Sequence, residues 1–119
     1  MGTVSNKKRK AIHDKYDGHC AYCGNIITID EMHPDHILPK SKGGSDAIAN
    51  FNPSCKLCNS FKSDLTLEEF EVAIMLLVPN LFKQYHYRVA HHFGLLKVTN
   101  DSFKFQFYFE TLNHKDNGL

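Results

Sequence analysis

Apolar positions recur at helical spacing between residues 66 and 78, where Phe70, Ala73, Ile74, Leu77 and Val78 fall on one stripe. Thr66 and Glu69 just ahead of them have the form of a capping box. The pattern predicts a helix from about Leu67 to Leu77, halted by Pro79, and a second over Leu81 to His92, closed by Gly94. Near the start, Lys7 to Tyr16 is helix-compatible, with Ile12 and Tyr16 on one face, and Asp17-Gly18 breaks it. Three segments carry strand character. Ile26 to Ile29 is β-branched, His36 to Leu38 runs up to Pro39, and Phe103, Phe105, Phe107 and Phe109 alternate with polar or amphipathic residues. That last face is expected to cover a small core, with base stacking as the alternative. A short helix is expected from Lys56, and the glycine, serine and charge content of Lys40 to Asp46 marks a loop. No repeat, low-complexity segment or long linker divides the chain, so one domain over 1–119 is expected.

Composition changes the picture mainly through cysteine. A chain of 119 residues can bury only a modest core. Its four cysteines form two pairs, Cys20-x-x-Cys23 and Cys55-x-x-Cys58, and zinc ligands commonly come in such pairs. Disulfides are the competing reading. The N-terminal residues are basic and polar with no signal-like apolar region, and no apolar run reaches membrane-spanning length. The expected compartment is therefore reducing, the cytoplasm, where thiols persist as metal ligands. A net charge of +1 excludes a strongly basic nucleic-acid wrapper, so any phosphate-binding surface must be local. The run Lys7-Lys8-Arg9-Lys10 is either a solvated arm or a phosphate contact.

Between the cysteine pairs lies Asp35-His36, and Asn59 directly follows Cys58. Phosphodiester hydrolysis needs a deprotonated water, a cation on the scissile phosphate and donors that fix it. Asp35 is a hard oxygen ligand suited to Mg²⁺, and on an extended segment His36 points the other way, free to act as base. Its unperturbed pKa of about 6.5 suits that task. The Asn59 carbonyl could complete the divalent site. Lys62 is either a phosphate contact or a solvated helix lysine, and Lys40 and Lys42 in the loop are further candidate nucleic-acid contacts. His33, cut off from His36 by Pro34, is expected to be exposed.

Together Cys20-x-x-Cys23, Asp35-His36-Ile37-Leu38-Pro39, Gly43-Gly44, Asn50-Phe51, Cys55-x-x-Cys58-Asn59 and Lys62 resemble the HNH endonucleases of the ββα-metal group, particularly phage and prophage members with zinc knuckles. The resemblance covers roughly residues 18–64, with 65–119 as a C-terminal extension. It implies an α+β fold, a ββα-metal core with treble-clef-like zinc knuckles and a helical and strand extension. It further implies that Asp35 and Asn59 hold a catalytic Mg²⁺ or Mn²⁺, that His36 is the general base, and that Asn50 holds the connecting loop so that the base is oriented. Asn59 stands where the family often has its last histidine, an HNN form whose lost imidazole should favour hard cations. Cys20, Cys23, Cys55 and Cys58 would bind a structural Zn²⁺. The implied partner is double-stranded DNA, with a second copy of the chain or another phage protein as open alternatives. The rival readings are a zinc-knuckle module that binds without cutting, and a subunit of a packaging or restriction machine.

Overall fold

A computed structural model describes residues 4–98 and 105–117. Its contacts divide the chain into two units, residues 1–67 with 106–119, and residues 68–105. The sequence reading sets an extension off at residue 65. The chain leaves the first unit after residue 67 and returns to it at residue 106.

The first unit opens with helix α1, Asn6–Asp14, whose N-cap Ser5 accepts from the Lys8 amide at 3.2 Å and whose Ile12 is fully buried. The basic run is therefore an ordered helix. Arg9 is consumed internally, donating to the carbonyls of Ile29, Asp30 and Met32, and Lys10 pairs with Asp14. Lys7 remains exposed. The expected strand over Ile26 to Ile29 is reduced to a bridge between His19 and Ile26. The reason is the reciprocal box of Thr28 and Glu31, in which the Thr28 amide donates to Glu31 Oε1 and the Glu31 amide to Thr28 Oγ1. It curls the segment away from extended backbone.

Strand β1, His33–His36, pairs antiparallel with β2, Phe51–Ser54, in the register His33 with Ser54 through His36 with Phe51. The strand lies earlier than the expected His36 to Leu38. Ile37 still donates to the Asn50 carbonyl at 2.8 Å, but at Leu38 the Asn50 side chain takes both backbone groups and the chain turns. Pro34 and Pro53 face each other across the sheet. Both strands are edges, so a missing ladder donor is tolerated, and the Pro53 carbonyl turns outward to accept from Ala21 at 2.8 Å. The connecting loop carries short 3₁₀ turns at Lys40–Lys42 and Ile48–Asn50. Helix α2, Lys56–Lys62, follows β2 and packs on β1, completing a ββα unit in an α+β fold.

The second unit is helical. Helix α3, Leu67–Met75, begins where expected, directly after Thr66, but ends before Pro79 is reached. Pro79 is instead the third residue of α4, Leu77–Leu81, in a first turn whose amides have no intrahelical partner. Helix α5, Tyr85–His92, is the remainder of the expected Leu81 to His92 helix. It ends on Gly94, whose φ of +74° and bond to the His91 carbonyl form a left-handed stop.

The expected strand Phe103 to Phe109 is corrected in part. Phe103 and Lys104 lie outside the described residues, and Tyr108 opens helix α6, Tyr108–Asn117. Glu110 Oε1 accepts from the Phe107 amide at 3.0 Å, as a third-position glutamate does at a helix start. Phe107 is buried and meets Tyr22 edge-on, with ring centroids 5.3 Å apart. The Tyr108 and Phe109 amides donate to the carbonyls of Tyr22 and Ala21.

Candidate active site and metal centre

The four cysteines are free thiols, not disulfides, and their sulfurs lie within 4.8 Å of one another. Cys23 and Cys55 sulfurs are 3.8 Å apart, the edge expected of a tetrahedron built on Zn–S bonds of about 2.3 Å. Each pair is bent by its own backbone. Gly24, at φ +81°, returns its amide to the Cys20 carbonyl, and a Cβ there would stand 2.8 Å from the Tyr108 ring. Cys55 is the N-cap of α2, its sulfur accepting from the Cys58 amide at 3.4 Å. The hydrogen bond from Cys58 pulls the Cys20 thiol down to about 4. The same contact, and then burial, pushes Cys58 upward, while burial takes Cys23 up to about 11. Sulfurs this close repel one another as thiolates, and a dication among them removes that repulsion. The donor set fits Zn²⁺.

Asp35 and His36 come from β1 and Asn59 from α2, and all three line one open cleft of about 240 Å³ with Pro34, Pro39, Lys40, Ser41, Ser63 and Asp64. Asn59 directly follows the last cysteine, and its amide donates to the Cys55 carbonyl at 2.9 Å in the first turn of α2. Asp35 is only 4% exposed. The Tyr22 hydroxyl donates to its Oδ2 at 2.5 Å, and Lys62 Nζ lies 3.2 Å from Oδ1 and 3.1 Å from Oδ2. Burial pushes the Asp35 carboxyl above its ordinary range, opposed by the Tyr22 hydrogen bond and the Lys62 charge. Burial and the neighbouring carboxylate raise the Tyr22 phenol, which therefore stays a donor. An ionised carboxylate offers about four lone-pair sites, so Asp35 keeps acceptor capacity toward a hard cation beyond the hydrogen bonds it receives. Asn59 lines the same cleft, and a carboxylate and an amide oxygen are hard donors of the kind Mg²⁺ or Mn²⁺ takes.

Lys62 requires a correction. Expected at the surface of α2, either on phosphate or in solvent, it is fully buried. Its ammonium also donates to the His36 carbonyl at 2.9 Å, so it neutralises Asp35 beneath the cleft and cannot reach a DNA backbone. Lys40 and Lys42 remain exposed. Lys40 pairs with Asp46 at 3.0 Å and Lys42 donates to the Asp64 carbonyl at 2.7 Å. An exposed ion pair such as Lys40 with Asp46 contributes little.

Asn50 bridges the loop, accepting from the Leu38 amide and donating to the carbonyls of Leu38 and Ser45. Gly44 is needed there, because a Cβ would meet the Leu38 oxygen at 1.7 Å. Sequence reasoning missed Tyr22, Asn52 and Asp46. Asn52, opposite Asp35 in the register, is buried and donates to the Tyr22 oxygen at 3.4 Å, while its own Oδ1 has no partner among the described residues. The only signal for Tyr22 was its place inside the first cysteine pair. Asp46 lies 2.9 Å from His36 Nε2, a loop contact that no local spacing announces.

Residues 20–74 match the family model described as HNH endonuclease. No curated protein matches the chain. Among the described residues no helix is long and apolar enough to cross a membrane.

Proposed function

From the match of residues 20–74 to the HNH endonuclease family model, we propose that this protein is a metal-dependent endonuclease that hydrolyses phosphodiester bonds of double-stranded DNA. The observation that carries the proposal is the convergence of Asp35, His36 and Asn59 on one cleft beside the cysteine cluster. Asp35 and Asn59 would hold a single Mg²⁺ or Mn²⁺, which when bound neutralises charge on the scissile phosphate and the leaving oxygen. His36 takes the proton from the attacking water. Asn50 holds the loop that carries the base's surroundings, and the four cysteines fix the start of α2 and with it Asn59. Lys40 and Lys42 at the cleft margin contact backbone phosphates, which position without reading bases. Specificity is accordingly low, and one site per chain favours nicking unless two chains act together. Thiol ligands suit a reducing cytoplasm, such as that of a bacterial host cell. In this reading residues 1–119 form one HNH endonuclease domain of phage or prophage type.

The rival reading, a zinc-knuckle module that binds nucleic acid without cutting, draws on one observation: both Asp35 oxygens already receive protein donors. Supercoiled plasmid with Mg²⁺ or Mn²⁺ separates the two. Wild type is expected to nick it, with His36→Ala and Asn59→Ala slower by about 10²–10⁴-fold at similar DNA affinity. An intact plasmid bound equally by wild type and His36→Ala sinks the nuclease reading.

A further inference from the structure

The His36 ring is fixed on two sides. One face lies against Phe51, with centroids 4.4 Å apart, and the Nε2 edge lies 2.9 Å from Asp46 Oδ1. A carboxylate only accepts, so the neutral ring must carry its proton on Nε2, leaving the Nδ1 lone pair bare. Asp46 is itself anchored. Lys40 Nζ holds Oδ2 at 3.0 Å, Lys8 Nζ donates to the Asp46 backbone carbonyl, and Asn50 Nδ2 holds the carbonyl of the preceding Ser45 at 2.8 Å. A casual surface pair would leave both partners in solvent. Here the Asp46 side chain is 57% exposed but the His36 side chain only 17%.

The geometry points to Asp46 as a positioning residue for the base: its carboxylate selects the Nε2–H tautomer of His36, so that Nδ1 is the atom that takes the proton from water. This rests on the nuclease reading and adds to it a residue and an atom. It also supplies Asn50 with a route to the base, through Ser45 and Asp46 rather than by contact. Hydrogen bonds from His36 and then Lys40 hold Asp46 below the usual carboxylate range, which keeps it an acceptor. The step balances. One water proton moves to Nδ1, the water oxygen bonds to phosphorus, the bond to the leaving oxygen breaks, and that oxygen is protonated from solvent. The Nε2 proton stays in place, and the imidazolium charge forms beside the Asp46 carboxylate, as in other histidine and carboxylate pairs.

The test uses zinc-loaded full-length protein labelled with ¹⁵N in histidine, at a pH where His36 is neutral, with His36→Ala assigning the resonance. Wild type is expected to show His36 protonated at Nε2, and Asp46→Ala to lose that preference while keeping its zinc content and thermal midpoint. In plasmid nicking, Asp46→Ala should lower kcat by about 10–10²-fold with KM unchanged or reduced, since it removes an anion beside a polyanion. Asp46→Asn, whose amide oxygen still accepts from Nε2–H, should recover part of the loss. An Nδ1–H tautomer in wild type, or wild-type kcat in Asp46→Ala, overturns the proposal alone. A wild type whose tautomer follows Asp46 but which leaves DNA uncut overturns the nuclease reading, and the catalytic role of Asp46 with it.

Discussion

The two units of this chain are held together by different means. In the first, the buried set mixes Ile12, Met32, Phe51 and Phe107 with Asp35, Asn52, Ser54 and Lys62, and a cluster of four cysteines stands beside them. In the second, Phe70 is the buried hydrophobic among the described residues, while Val72, Leu77, Phe93 and Leu95 stay exposed. The first unit therefore depends on groups whose burial is costly unless each finds its partner, and the second on helices that bury little of their own apolar surface. A polar core beside a cysteine cluster that fits zinc tolerates few substitutions, because its geometry is specified by hydrogen bonds. That specificity is what the proposed site, a cleft with a base and two oxygen donors, would require.

Metal removal should divide the units most sharply. Structural zinc contributes about 10–16 kcal/mol in small domains, so chelation, or Cys55→Ser, is expected to abolish the dispersed amide resonances of β1 and β2 in NMR spectra. Loss of the α3 to α5 resonances in the same titration step would break the comparison. Next comes the buried ion pair. Lys62→Met leaves the Asp35 carboxylate without its charge partner and should cost about 3–5 kcal/mol in urea unfolding. Asp35→Leu combined with Lys62→Met should recover most of that stability without recovering nicking. A double variant no more stable than the single one would show that the site's packing, not its charge, holds the unit. Tyr22→Phe removes the donor to Asp35 while preserving the ring that Phe107 meets, and about 1–3 kcal/mol is expected from the same measurement. The smallest effect belongs to the second unit. Phe93→Ser, at a position 72% exposed, should change stability by no more than about 0.5 kcal/mol. A larger loss would mean that this surface is covered in solution.

What could be read from the chain differs between the units for the same reason. The start of α3 and the close of α5 at Gly94 follow local rules, periodicity and a left-handed stop, that operate within a few residues. Pro79 does not act as a stop, because a proline breaks a helix in its interior and here a new helix begins just before it. The Ile26 to Ile29 segment was legible in principle. Thr28 and Glu31 have the spacing of a capping box, and their reciprocal hydrogen bonds outweigh the strand propensity of the β-branched residues. Glu110 likewise marked the helix start that cut short the aromatic alternation.

Spacing along the chain was enough to mark the two cysteine pairs, the Asp35-His36 dipeptide and Asn59, and with them the likeness to the HNH endonuclease model over residues 20–74, because such spacing presents ligands from one turn. It takes the folded chain to make Lys62 a buried counter-charge and not a phosphate contact, to bring Asp46 to His36, and to pack Phe107 on Tyr22. Each of those depends on which groups a distant segment removes from water. The cost of burying a charge, or the gain of burying a ring, is set by what arrives opposite it, which residue type and spacing alone do not specify.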